Sequence, residues 1–558
     1  MTLERLFWVV AFAIVAAAGT LEVSSVRGET QTWDEGIHLS AGYAYLSRGD
    51  YRWNPEHPPL AKLMSALPLL FLHLDLPVGG ESWQKLDETR VGIDFLYHNR
   101  ASADSILLAS RGMTILLSLL FLLCVAWWAR GRFGPAPALL ALCLCAFDPN
   151  LLAHARYVTT DFPVTVFYFL ACALWVDYLL SGHYRDLALA ALAFSFAMVT
   201  KFSAVLLIPT LPILFALRWW QSPREFSVRR LLTAAALFLG FTLVVVNIVY
   251  WPETVRCWTT HVPPLTQVVR GDGFVGAVLY RAGEWLHLPA HAFLAGLDRV
   301  AAHNREGHSS YLLGMRSDQG WWYYFPVVYA VKSTMAAIAA TVLLLSAGLW
   351  TAWRVRRVDF VWLGLLIPPL IYFLFSMTSA INIGMRHILP VYPFLYVAAA
   401  ALLARTFTRR AARWLTVTLA ALQIAECASI APDFLAFFNA LSGGPGNGPR
   451  YLVDSNIDWG QDMKKLVTWL DARGTHAAYL MYFGNAQAPS YGLQVLNFPG
   501  ALDGPGWDAL DGFAAASVTP LQGVYLPLEA LARLRLREPV AKIGWSVYVY
   551  DFRRRTAP

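Results

Sequence analysis

Charge is scarce in this chain. Asp, Glu, Lys and Arg make up 15% of its 558 residues, against about 25% in ordinary soluble proteins. A water-soluble enzyme of this length would need more charge to cover its surface, so that class is excluded. Cysteine is scarce too: six residues, at 124, 143, 145, 172, 257 and 427, sit mostly inside apolar runs. They form neither a disulfide framework nor a metal spacing and read as small core residues. A Walker lysine loop, a dinucleotide fingerprint and a Gly-x-Ser-x-Gly elbow are all missing where they could act. Apolar side chains, in contrast, are abundant at 57% with Tyr counted. On the scale where soluble chains run ~45–50%, the figure is about 60%. The chain is an integral membrane protein.

A spanning helix needs about 20 mostly apolar residues. Eleven runs qualify, at about 6–22, 106–129, 134–148, 160–180, 185–200, 202–219, 230–250, 326–350, 360–378, 388–404 and 412–430. The first has signal-peptide features, Glu4-Arg5 before it and small residues from Ala16 to Gly19. It reads as a retained anchor, because every later run needs a membrane as well. With the N-terminus in the cytoplasm, the inside loops carry Arg130, Arg132, Arg185, Arg218, Arg224, Arg229, Arg230, Arg354, Arg356, Arg357, Arg405, Arg409, Arg410 and Arg413. The short outside loops carry Arg156, Lys201 and Arg386. This positive-inside bias places segments 23–105 and 251–325, and the tail after 431, outside. The net charge of +7 is thus a topology signal rather than a nucleic-acid one.

The fold expected is mainly α: a polytopic membrane protein with about 11 transmembrane helices over 1–430 and a small extracytoplasmic α/β domain over 431–558. In the first long loop, 35–47 and 58–72 read as helices lying along the membrane surface. In the tail, a Gly/Pro-rich hinge from Gly443 to Pro449 precedes a strand at Tyr451–Val453, a helix at Gln461–Leu470, and strands at Ala477–Phe483 and Ser546–Phe552. There is no internal repeat and no inverted hydropathy symmetry of the transporter kind.

Polar clusters gather on the outer face. Thr32-Trp33-Asp34-Glu35-Gly36 follows the first span. An aspartate there is a general base if held within reach of a hydroxyl, or simply the N-cap of the next helix. Successive helical side chains point about 100° apart, so Asp34 and Glu35 cannot share one role. In Asn54-Pro55-Glu56-His57-Pro58-Pro59-Leu60, His57 sits at a helix entry, as a substrate or phosphate contact or as a structural histidine. Asp161 marks the edge of span four, where a carboxylate is costly unless paired or solvated; it is a site residue or a cap. The cations are Arg111 inside span two, Lys201 between spans five and six, and Arg386-His387 opening span ten. Snorkelling explains any one of them, but three at one depth suit a lipid phosphate whose tail lies between helices. His287, His291, His303 and His308 lack a carboxylate pattern, and Pro289 disturbs the helix the first pair needs, which disfavours a metal. Asp454 to Asp458 imitates the start of an EF-hand loop, but Gly at the seventh position and Lys465 in place of the bidentate Glu count against calcium.

Together these motifs resemble the polyprenyl-phosphate-sugar-dependent glycosyltransferases of the C superfamily. The likeness is to glycosyltransferase family 39 and to bacterial relatives of protein mannosyltransferases and lipid A aminoarabinose transferase. It rests on Asp34-Glu35, His57-Pro58-Pro59-Leu60-Ala61-Lys62, Arg111, Thr159-Thr160-Asp161 and Thr200-Lys201. The runs Gly320 to Pro326, Asn382 to Pro390 and Val453 to Asp462 resemble a bacterial subgroup. The resemblance implies an inverting transferase moving a hexose or pentose from a polyprenyl-phosphate donor to a lipid, polysaccharide or protein hydroxyl outside the cytoplasmic membrane. It makes Asp34 the base and Glu35 an acceptor or sugar contact. Arg111, Lys201 and Arg386, with His387 alongside, would bind the donor phosphate, and His57 and Asp161 would shape the sugar site. No cofactor is required; a divalent ion is an option, with Asp34, Glu35 and Glu56 as oxygen donors. The rivals are a transporter or lipid flippase, which would carry its charges near the membrane midplane, and a non-catalytic envelope scaffold.

Overall fold

The computed structural model describes residues 2–225, 227–260, 290–354, 358–498, 507 and 510–553. Helices occupy each of the eleven apolar runs: Leu3–Arg27, Ala103–Phe133, Pro135–Ala146, Asp161–Ser181, Tyr184–Met198, Leu207–Gln221, Val228–Val249, Met335–Arg354, Phe360–Ser376, Val391–Thr406 and Arg409–Ile430. Among the described residues, five helices are long and apolar enough to cross a membrane alone, and seven if each of two bent pairs is one span. The third run corrects the expectation of a straight span. At 1.5 Å per residue its helix reaches only about 18 Å, short of a ~30 Å hydrocarbon core. A second helix, Pro149–Ala155, continues it at 65°. Asp148 makes the corner, accepting from Asn150 N at 2.8 Å and Leu151 N at 3.0 Å. Tyr324–Lys332 and Met335–Trp350 bend by 118°. There Lys332 Nζ donates to Leu435 O at 2.8 Å and Asn456 O at 2.6 Å, tying the corner to the C-terminal region.

The first long loop forms helices where the sequence puts them, Glu35–Arg48 and Leu60–Ala66, the latter running into a 3-10 turn at Leu67–Leu72. Both pack closely against other parts of the protein. The first is buried from Glu35 through Tyr45 except at Ile37. Two glycines allow this: a Cβ on Gly92 would stand 2.7 Å from the Gly36 carbonyl carbon, and one on Gly42 would collide with the Lys62 carbonyl oxygen. An exposed apolar edge remains at Leu67, Leu70 and Phe71.

The C-terminal region is a five-stranded sheet in the order Gln494–Leu496, Ala477–Met481, Phe513–Ser517, Val547–Asp551, Ala541–Ile543. The first two pairings are parallel and the last two antiparallel. The amphipathic helix Met463–Asp471 buries Met463, Leu466 and Leu470 against it. Tyr451–Val453 is not a strand: Tyr451 N and Leu452 N both turn back to Gly448 O, at 2.9 and 3.0 Å. The Gly/Pro segment is a pinned 3-10 turn, Pro445–Arg450, in which a Cβ on Gly448 would stand 2.5 Å from the Phe438 ring.

Candidate active site

Asp34 is presented by a stretch of backbone held from both sides. Thr30 N donates to Gln461 O and Trp33 N to Trp459 O, each at 2.9 Å, so the C-terminal region fixes the approach to the Glu35 helix. Glu35 reaches back to Thr32 N at 2.8 Å, closing the turn. The two carboxylates then part, as helix geometry requires. Asp34 Oδ2 accepts from Arg386 Nη1 at 2.6 Å and lines a cavity of about 1080 Å³. Glu35 turns inward, completely buried, and takes Arg111 Nε at 2.8 Å, Arg111 Nη2 at 2.6 Å and Val158 N at 3.1 Å. Burial alone would raise its carboxyl, but the Arg111 charge and these hydrogen bonds hold it below the usual range.

The other expected residues divide accordingly. His57, Asp161, Lys201, Arg386 and His387 line the same cavity as Asp34. Arg111 and Glu35 are not part of that lining. Arg111, 1% exposed, is bonded to Glu35 and to the carbonyls of Val26 and Thr30, at 3.3 and 2.7 Å. The two expected as donor ligand and as acceptor or sugar contact thus lie outside the cavity lining, in an internal ion pair beside the Asp34 turn.

Around Asp34 the charges alternate. Arg386 Nη1 lies 3.6 Å from Asp161 Oδ2, and Lys201 Nζ pairs with Asp161 Oδ1. The Arg386 guanidinium stacks over the Trp459 ring at 4.4 Å, and its buried Nε meets no acceptor among the described residues. His57 is set by Lys62, whose buried ammonium donates to the carbonyls of Asn54 and His57, both at 2.7 Å. Burial, reinforced by His38, Lys201 and Lys62, holds the His57 ring well below the ordinary histidine range; burial with Lys201 and Arg386 does the same to His387. Both shifts favour the neutral ring. One side of the cavity is apolar, with Phe202, Val205 and Leu206 from one spanning helix and Tyr372 and Phe375 from the Phe360–Ser376 helix.

Sequence reasoning did not assign several residues that line the cavity, among them His38, Glu56, His303, His308, Asp454 and Tyr525. His303 Nδ1 donates to Glu56 Oε1 at 2.6 Å and Nε2 faces His308 Nδ1 at 3.2 Å; His308 Nε2 lies 2.9 Å from Tyr525 Oη. The available signal was the run from Val453 to Asp462, whose polar residues each have a job in the fold. Ser455 Oγ donates to Ile383 O at 2.5 Å, Asn456 Oδ1 accepts from Met385 N at 3.0 Å, and Asp458 accepts from Thr519 N at 3.0 Å. Among the described residues no three His, Cys, Asp or Glu side chains converge as metal ligands. The helical pair His287 and His291 lies outside the described residues and side chains.

The helical bundle, with loop and tail lining its cavity, has the fold of solved proteins, and part of the chain matches a family model. The particular likenesses are as follows. Residues 103–251 match the family model described as dolichyl-phosphate-mannose-protein mannosyltransferase. The S. cerevisiae protein O-mannosyltransferase Pmt1-Pmt2 complex bound to the sugar donor is 12% identical over 77% of this chain and 90% of that chain, with TM-score 0.54. The Archaeoglobus fulgidus oligosaccharyltransferase in the apo form is 10% identical over 95% and 72%, with TM-score 0.50. ArnT from Cupriavidus metallidurans bound to undecaprenyl phosphate is 15% identical over 97% of each chain, with TM-score 0.46. No curated protein matches the chain in sequence.

Proposed function

We propose that the chain is an inverting glycosyltransferase that moves a sugar from a polyprenyl-phosphate donor to an acceptor hydroxyl, on the outer face of the cytoplasmic membrane. The observation that carries this reading is the gathering of Asp34, paired with Arg386, and of Lys201, paired with Asp161, in a single cavity lined in part by apolar side chains. An acid near the nucleophile and positive charge near a leaving phosphate are what inverting transfer requires. The donor phosphate takes Arg386 and Lys201, and its lipid chain runs along Phe202, Val205 and Phe375. The unpartnered Nε of Arg386 supplies a second donor in fork geometry for a phosphate oxygen. Asp34, released from Arg386, takes the proton of the acceptor hydroxyl. The acceptor oxygen bonds to the anomeric carbon from the face opposite the phosphate, the carbon–oxygen bond to phosphate breaks, and its electron pair leaves with the polyprenyl phosphate. His57 and Asp161 border the sugar. The Pmt1-Pmt2 complex, which shares the fold and is described as bound to its sugar donor, supports this reading.

The test is transfer of label from radiolabelled polyprenyl-phosphate sugars in membranes carrying wild type or Asp34→Asn. A general base contributes about 10²–10⁴-fold, so the variant should lose that much turnover while still binding donor. Full transfer by Asp34→Asn would refute the assignment.

A further inference from the structure

The wall of the cavity contributed by the C-terminal region is built unlike the rest. Asp454 holds a left-handed backbone, with φ of 59°, an uncommon conformation outside glycine and one that clusters at binding sites. Its Oδ1 accepts from Ser455 N at 2.6 Å, and its Oδ2 accepts from Tyr525 Oη at 3.4 Å. Tyr525 in turn meets His308. Beside these polar groups runs a column of three rings. Trp33 stacks on Phe483 with centroids 5.1 Å apart, and Phe483 on Tyr525 at 5.5 Å and 7°. Asp454, Tyr525, His308, Trp33 and Phe483 all line the cavity that holds Asp34.

We infer that this wall is an acceptor subsite for a neutral carbohydrate, with Asp454, Tyr525 and His308 as its hydroxyl-binding groups. The inference rests on the glycosyltransferase reading and names the acceptor class which that reading leaves open. Sugar hydroxyls both donate and accept, and the wall offers both: a carboxylate that only accepts, and a phenol and an imidazole that do either. Tyr525, at the end of the column and half exposed, offers an aromatic surface to the apolar C–H patches of a pyranose. A peptide acceptor added as a β-strand would instead need a free strand edge. The strand that brings Met481 to the cavity, Ala477–Met481, is paired on both sides, and the sheet's two edge strands, Gln494–Leu496 and Ala541–Ile543, give no residue to the lining. An acidic saccharide is disfavoured. The lining carries the carboxylates of Asp34, Glu56, Glu88, Asp161 and Asp454 against the cations Lys201, Arg305 and Arg386, two of which the proposed donor phosphate takes.

The test is binding without donor. Full-length protein in lipid nanodiscs is titrated with a neutral hexose tetrasaccharide and, separately, with a Ser/Thr-containing peptide of similar length, for wild type, Asp454→Asn and Tyr525→Phe. Wild type should bind the saccharide saturably and the peptide weakly or not at all. Each variant should lose affinity about tenfold, the scale of one hydrogen bond to a charged group. Melting temperatures identify any variant that misfolds; Tyr525 is half exposed, so its variant decides the matter if Asp454→Asn does not fold. Peptide binding in place of saccharide binding, no binding of either, or unchanged affinity in folded variants would overturn the proposal. Because no donor is present, a failure of label transfer would count against the glycosyltransferase reading and leave the saccharide result standing.

Discussion

Asp34 and Glu35 are chain neighbours whose side chains leave the helix start in different directions, one to a cavity and one to a sealed interior. The Glu35–Arg111 pair is 0% and 1% exposed. Removing one partner from such a pair strands a buried charge and costs about 3–5 kcal/mol. Arg111→Met should therefore lower thermal stability in detergent by that order; a variant with wild-type stability would show that the pair does not brace the turn. Titration of His303 gives a second residue-scale expectation. The hydrogen bond to Glu56, partly offset by burial, raises its pKa above the usual 6.5. A raised histidine contributes stability in full below its unfolded value and loses it as pH climbs through the folded value. The Tm difference between wild type and His303→Gln should be largest below pH 6.5 and shrink above it. A difference that grows with pH would contradict the ion pair. Which of these residues carry chemistry was only half legible. Asp34, His57, Asp161, Lys201, Arg386 and His387 stood out as polar groups beside apolar runs, and all reach the cavity. Arg111 stood out for the same reason, but its partner sits 76 residues earlier, a distance that no local pattern reports.

At the scale of elements, the cavity depends on how closely short helices cross. Glu35–Arg48 meets Glu88–Tyr97 through Gly36 and Gly92, backbone against backbone. Gly92→Ala would force these helices apart and carry Asp34 with them. Overpacking of this kind costs about 1–3 kcal/mol, and transfer activity should fall further than stability does because Asp34 must stay within reach of a hydroxyl. Unchanged turnover in Gly92→Ala would mean that the crossing does not set the position of Asp34. The same scale explains what the sequence left open about the loop helices and about the run from Val453 to Asp462, for which calcium was already disfavoured. Periodicity locates a helix but not its covering, and a polar run with turn residues looks alike whether it binds calcium or pins two elements together.

For the whole molecule, the C-terminal region is part of the site rather than an appendage. It supplies the ring beneath Arg386, the backbone acceptors for Thr30 and Trp33, and one wall of the cavity. Deleting residues 444–558 should loosen the Thr30–Asp34 segment, read as new protease cleavage there, and abolish transfer; an intact, active truncation would refute this. The sequence alone determined that the chain lives in a membrane, that its apolar runs are helical, and that polar residues gather at their ends. These follow from hydropathy and local charge, which act over a few residues and need no knowledge of the rest of the chain. Only the tertiary structure decided that Asp34 meets Arg386 across 352 residues, that Arg111 is consumed by Glu35, and that Asp454 joins the cavity from the far end of the chain. Ion pairing falls off over ångströms in space, so the partner of a charge is fixed by how distant segments pack.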